Sequence, residues 1–219
     1  MIVLALDTST SACSAAVWRD GIVLARRLEA MARGQSEALM PMVRAVLTEA
    51  GMAMGDLGLL AVTVGPGAFT GLRIGLAAAR GLSLASGLPL AGVSTPEAVV
   101  AAVPQAGRRG RTVLAVIESK REEVWVQAFA GDTLAPLAPV AALLPERAAA
   151  LVAGPVLVVG DAAARVLALL PDAVAASQPG WPDAAVVAAL AAEHWAAGTA
   201  LPPDPLYLRP ADVTLPQCR

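Results

Sequence analysis

Histidine is almost absent from this 219-residue chain, which has one, and cysteine is scarce at two. A lone His194 cannot supply the histidine pairs that commonly hold a catalytic metal. Cys13 and Cys218 stand far apart without metal spacing and read as free thiols of a reducing cytosol. Charged residues make up 16% and hydrophobic ones 57%, an unusually apolar balance for a chain without a membrane span. No stretch of 18 residues lacks both charges and helix breakers, so no such span is expected. The opening Ile2-Val3-Leu4-Ala5-Leu6-Asp7 has no basic region ahead of it, and no signal peptide is expected either. Apolar excess without a span points to buried subunit contacts. Net charge is −2, and the nearest thing to a basic run, Arg108-Arg109-Gly110-Arg111, reads as a solvated linker. A chain that gripped RNA alone would display a stronger basic face.

What is present is glycine in one informative place. Gly65-Pro66-Gly67-Ala68-Phe69-Thr70-Gly71-Leu72-Arg73-Ile74-Gly75 lies between an apolar run (59–64) and a long Ala/Leu/Gly segment. This predicts strand, tight loop and helix, with Thr70 placed to cap the helix. Such a loop can bind phosphate on its free amides. Here no Lys-Ser or Lys-Thr follows it, and no acid lies between Asp56 and Glu97 to hold a ribose. A close-packed turn is the competing explanation of these glycines.

Around that loop the pattern predicts a first strand over 2–6, a hairpin (14–19 and 22–28, turning at Asp20-Gly21) and a helix over 36–50 ended by Gly51. Pro41 suggests a later or kinked start to that helix. A strand (59–64), a helix (72–86), a short strand (90–93) and a helix start at Ser94-Thr95-Pro96-Glu97 follow. After a polar break at 106–111 the order repeats. Strands are expected over 113–117 and 124–129, and a third after Gly131-Asp132. Then come a helix (145–152), a strand (156–159) and helices over 162–170 and 183–197. Two copies of β-β-β-α-β-α predict an α/β protein of two ribonuclease-H-like lobes, 1–105 and 106–219, in the layout of the actin and sugar-kinase superfamily.

The chain resembles the TsaB family along nearly its whole length. The resemblance rests on Leu4-Ala5-Leu6-Asp7-Thr8-Ser9-Thr10 with Cys13-Ser14-Ala15-Ala16-Val17-Trp18, on Ser36-Glu37-x-Leu39-x-Pro41 and on the glycine segment. Gly92-Val93-Ser94-Thr95 and Tyr207-Leu208-Arg209 complete it. Gln35 stands where the family commonly has His, and Glu118-Ser119-Lys120-Arg121 replaces an Asp-Ala-Arg sequence. The resemblance implies a non-catalytic, cytoplasmic dimerisation subunit with no cofactor of its own, which pairs with a TsaD-like catalytic subunit or with itself. It further implies a TsaE-like ATPase as third component, ATP and a metal on the partner subunits, and tRNA bound through the complex. The reaction implied is transfer of threonylcarbamoyl to N6 of the tRNA adenosine 3′ of the anticodon.

The residues speak to the same question. No nucleophile elbow is present, and a Ser-His-Asp or Cys-His mechanism would have to recruit His194. The alternative function is an independent kinase, ATPase or glycoprotease-like peptidase of the superfamily. Asp7, Thr8 and Ser9 are candidates for residual nucleotide contact, against local turn capping by Asp7. Gly160-Asp161 is either a remnant nucleotide turn or a plain strand-to-helix connection. The helix after the glycine loop is apolar nearly all round, which predicts burial on every side. Its Leu72, Arg73, Leu76, Ala79, Arg80 and Ser83, with Leu39, Met42, Val43 and Val46 of the preceding helix, are the expected partner contacts.

Overall fold

The computed structural model describes residues 1–208, so Cys218 and Arg209 lie outside the described residues. β1 (Ile2–Asp7), β2 (Ala12–Arg19) and β3 (Ile22–Ala30) form an antiparallel meander. Asp20 and Gly21 turn it with φ of 46° and 92°, the paired positive values of a two-residue hairpin. β4 (Leu59–Gly65) then lies parallel to β1, and β5 (Leu90–Ser94) parallel to β4, giving the order β3-β2-β1-β4-β5. β1 and β4 are covered on both faces, which is why their sequences are continuous apolar runs without alternation.

The second sheet repeats the plan. β6 (Thr112–Glu118), β7 (Val124–Ala130) and β8 (Ala141–Leu143) are antiparallel, while β9 (Val156–Val159) and β10 (Val174–Ala175) run parallel to β6. The order β8-β7-β6-β9-β10 reproduces the first sheet strand for strand, so the expected duplicated α/β fold is present. The details depart from expectation in two places. The third strand does not follow the Gly131-Asp132 turn directly but begins at Ala141, after a single bridge between Phe129 and Pro136. β10 was not anticipated, because two exposed residues leave no periodic signal.

Helices complete five layers. α1 (Gln35–Ala50) and α2 (Phe69–Ser86) cover the outer face of the first sheet. α1 runs through Pro41, which is solvent-exposed, and ends on Gly51 in the left-handed region. α3 (Thr95–Ala101) begins on Ser94, whose hydroxyl accepts from the Glu97 amide at 3.3 Å. After the short α4 (Gln105–Arg108), the helices α5 (Pro145–Ala149) and α6 (Ala164–Leu167) cover the outer face of the second sheet. Both are shorter than the expected spans.

The middle layer crosses over. α7 (Ala184–Ala197), late in the chain, packs its buried alanines and Val187 on the inner face of the first sheet. α3, from the early half, places Val99 and Val100 on the inner face of the second. Ser14 of β2 pins the start of α7: its hydroxyl donates to Pro182 O (3.2 Å) and accepts from the Ala184 amide (3.0 Å). Asp183 caps the helix and meets Arg26 of β3 at 2.9 Å.

Candidate functional site

Two regions carry the chemistry singled out by the sequence: the turn after β1 with the glycine loop opposite it, and the outer helices α1 and α2. β1 delivers Asp7 to a fully buried position. Its Oδ1 accepts from the Ser9 amide (3.0 Å), the Ser9 hydroxyl (2.6 Å) and the Thr63 hydroxyl (2.5 Å), while Oδ2 has no partner among the described residues. Burial pushes the carboxyl pKa up to about 6; the Ser9 and Thr63 bonds pull it the other way, and the charge of Asp161 adds a small further rise.

The glycines of the loop answer to this turn. A Cβ on Gly67 would lie 2.1 Å from Ser9 O, one on Gly71 2.0 Å from Thr8 O, and one on Gly75 2.6 Å from Thr8 Oγ1. Thr8 donates its hydroxyl to Gly71 O at 2.6 Å, and the Ala68 amide donates to Ser9 O at 2.7 Å. The backbone of the β1–β2 turn is thus seated on the start of α2, and the Ala68 amide that such a loop could offer to an anion is spent on Ser9. Of the two readings of this loop, the close-packed turn accounts for Gly67, Gly71 and Gly75. Thr70 does not cap the helix: α2 begins earlier, Ala68 occupies the cap position and Thr70 is exposed in the first turn.

The equivalent region of the second lobe is also self-contained. Gly160 has φ of +120°, and a Cβ there would stand 2.0 Å from Val116 O. Asp161 Oδ1 accepts from the Glu118 amide at 2.8 Å, and burial raises its carboxyl pKa. Glu118 Oε1 accepts from Arg165 (3.1 Å) and from the Lys120 amide (2.7 Å), while Arg165 also bonds the carbonyls of Glu122 and Glu123. The Arg108 of the basic run bonds the carbonyls of Val103 and Gly131, whereas Arg109 is exposed. His194 joins α7 to α3 through Glu97, Nε2 to Oε1 3.1 Å. Burial raises the Glu97 pKa and the charge of His194 opposes that rise. Among the described residues no three His, Cys, Asp or Glu side chains converge as ligands for a metal. Cys13 is a buried free thiol.

The expected partner contacts divide sharply. Leu39, Met42, Val43 and Val46 of α1 and Leu76 and Ala79 of α2 are buried in the chain's own core against the first sheet, and Leu72 is buried beside Gly65. They face inward and present no surface to a partner. Arg80 is committed within the chain: Nε and Nη2 donate to Pro203 O (3.1 and 2.7 Å), and Nη2 also meets Asp204 at 2.6 Å. Ser83 donates to Leu88 O at 2.7 Å, closing the end of α2. Arg73 is exposed, with its guanidinium 3.6 Å above the Phe69 ring and Nε bonded to the Tyr207 hydroxyl at 3.1 Å. Nor is α2 buried all round. Beyond its sheet-facing residues, Ala77 and Gly81 are open and Leu84 is 89% exposed. Met40 on α1 is 45% exposed. The helical period that sets Gly71, Leu72, Gly75, Leu76 and Ala79 on one face leaves Ala77, Gly81 and Leu84 on another.

A family model for TsaD, described as tRNA N6-adenosine threonylcarbamoyltransferase, matches residues 29–166. The tRNA threonylcarbamoyladenosine biosynthesis protein TsaB of Escherichia coli is 42% identical over 134 residues, 60% of this chain and 56% of that protein. The chain belongs to the TsaB family. An uncharacterized Mycobacterium tuberculosis protein matches more extensively, 35% identical over 96% of this chain and 93% of its own length. The crystal structure of YeaZ from Pseudomonas aeruginosa superposes with a TM-score of 0.77 at 31% identity, covering 94% of this chain and 99% of that one. Alignments to TsaB proteins of Escherichia coli, Haemophilus influenzae and Bacillus subtilis span about half of each relative's length.

Proposed function

We propose that this protein is a non-catalytic, cytosolic subunit of tRNA threonylcarbamoyladenosine biosynthesis. In this reading it pairs with a TsaD-type transferase, or with a second copy of itself, through the outward face of α1 and α2. One observation carries the reading: the glycine loop is filled by the β1–β2 turn, while the helix it launches leaves Leu84 89% exposed. An exposed leucine beside Ala77 and Gly81 suits close approach by a helix of a partner, and a matching lobe on a TsaD-type subunit allows pairing about a near-twofold axis. The outward residues replace the inward ones expected from sequence. The chemistry, with its ATP, metal and a TsaE-type ATPase, then resides on the partner subunits, and tRNA is held through the assembly.

Reconstitution with a TsaD-type subunit, tRNA and a threonylcarbamoyl donor tests this. The mixture is expected to form a complex by light scattering and to modify tRNA, with Leu84→Arg abolishing complex formation while the fold is kept. Modification of tRNA by this chain alone would sink the proposal. So would hydrolysis of ATP or peptide at roughly one turnover per second or faster.

A further inference from the structure

Residues 201–208 form a strap that returns from α7 to the first lobe. Leu201 O accepts from the Gly92 amide at the edge of β5 (2.8 Å), and the Leu206 amide donates to Val64 O at the end of β4 (2.7 Å). Gly92 is required by this contact, since a Cβ there would lie 2.7 Å from Pro202 O. The strap engages the two outward arginines of α2 differently, Arg80 between these anchors and Arg73 just past the second. Arg80 spends Nε and Nη2 on Pro203 and Asp204. Arg73 spends only Nε, on Tyr207; its Nη1 and Nη2 make no bond among the described residues.

Arg73 is nevertheless fixed. Its guanidinium lies over Phe69, and the Phe69 and Tyr207 rings are 5.4 Å apart at 37°. Both rings are partly exposed, 45% and 43%, and Arg73 lies one helical turn before Ala77 on the side of α2 that continues through Gly81 and Leu84. A cation already immobilised by stacking loses less freedom when it binds, and a guanidinium with both terminal nitrogens free matches a carboxylate in two parallel hydrogen bonds. Arginine flanked by aromatic rings is also the composition that carries most energy in protein interfaces.

Resting on the pairing reading above, we propose that the strap arms α2 for pairing: Tyr207 and Phe69 are positioning residues that hold Arg73 outward, and its free fork takes a carboxylate of the partner subunit at the rim of the contact. An RNA phosphate is the competing ligand for such a fork. The net charge of −2 favours the protein carboxylate, because the chain lacks the field that gathers a nucleic-acid backbone.

The test is the affinity of the full chain for the catalytic subunit, at low and high salt, with unfolding curves for each variant. Arg73→Ala is expected to weaken binding about tenfold or more and to flatten its salt dependence, and Arg73→Lys to lose a large part of that. Tyr207→Ala is expected to weaken binding several-fold with an unchanged Tm, and Tyr207→Phe, which keeps the ring, to lose less. Unchanged affinity for Arg73→Ala, while Leu84→Arg abolishes pairing, overturns the strap inference and leaves the pairing reading standing. Unchanged affinity for Leu84→Arg overturns both. Intact pairing by Arg73→Ala with weaker tRNA retention by the complex also overturns it, assigning the fork to RNA phosphate.

Discussion

Replacing Gly71 by alanine puts a methyl carbon 2.0 Å from the Thr8 carbonyl oxygen, well over 1 Å inside ordinary contact. The obstacle is backbone at the end of a buried strand, so it cannot swing aside as a side-chain tip would. Either α2 lifts from the β1–β2 turn or the turn itself yields. Overpacking of this kind costs about 3 kcal/mol. Separation also loses the Thr8–Gly71 hydrogen bond of 2.6 Å, about 1 kcal/mol more. Alanine returns about 1 kcal/mol through its better helix propensity. The net expectation is a loss of about 3 kcal/mol, a fall in Tm of roughly 6–12 °C for a chain of this size. Gly81 supplies the control on the same helix. Nothing lies within 4 Å of its Cβ position, so Gly81→Ala should stabilise by about 0.5–1 kcal/mol. Urea and thermal unfolding followed by circular dichroism measure both. If Gly71→Ala proves as stable as Gly81→Ala, the loop and the turn are not in contact, and the loop would again be available to a phosphate.

Asp7 makes stability depend on pH. Its pKa is raised by burial from 3.8 to about 6, so the folded state holds a proton that the unfolded chain has released. Its stabilising contribution is therefore complete below the unfolded value and is lost as pH rises through about 6, a swing of about 3 kcal/mol. Asp7→Asn should remove that part of the rise in stability between pH 7 and pH 4, leaving the background from Glu97 and Asp161, whose pKa values are also raised. Parallel pH profiles of the two proteins would contradict the assignment. Cys13, whose thiol is pushed up to about 12 by burial and by the charges of Asp7 and Glu29, should resist alkylation at pH 8 in the native state. In a Cys218→Ser background, native labelling as fast as in urea would show that Cys13 is not buried.

The duplicated sheet order was legible because each central strand announces itself as an unbroken apolar run ending in an acid, Asp7 in one lobe and Glu118 in the other. Gly51, Asp20-Gly21 and Ser94 marked their boundaries for local reasons that survive in the folded chain. The face of a helix is a different kind of information. The apolar character of α2 announced contact on several sides, yet could not say that Leu76 is buried against the sheet while Leu84 stands in the open. That assignment depends on where the Gly71 and Gly75 backbone touches Thr8, a contact across more than sixty residues of chain. The bonds of Arg80 to Pro203 and Asp204, and of Arg73 to Tyr207, are hidden for the same reason: they join segments more than a hundred residues apart, beyond the reach of any local pattern.

The exchange of α3 and α7 between the sheets also sets an order of events during synthesis. The first sheet can pair its strands once β5 has emerged, but the inner face formed by Val3, Ala5, Leu59 and Ala61 is covered by α7, which ends at Ala197. Until then that face stays uncovered while roughly a hundred further residues are translated, at roughly 5–20 per second. The amino-terminal half therefore passes several seconds as an incomplete layer with an apolar surface open to chaperones and to other nascent chains. A fragment stopping after α4 would be trapped in that condition permanently.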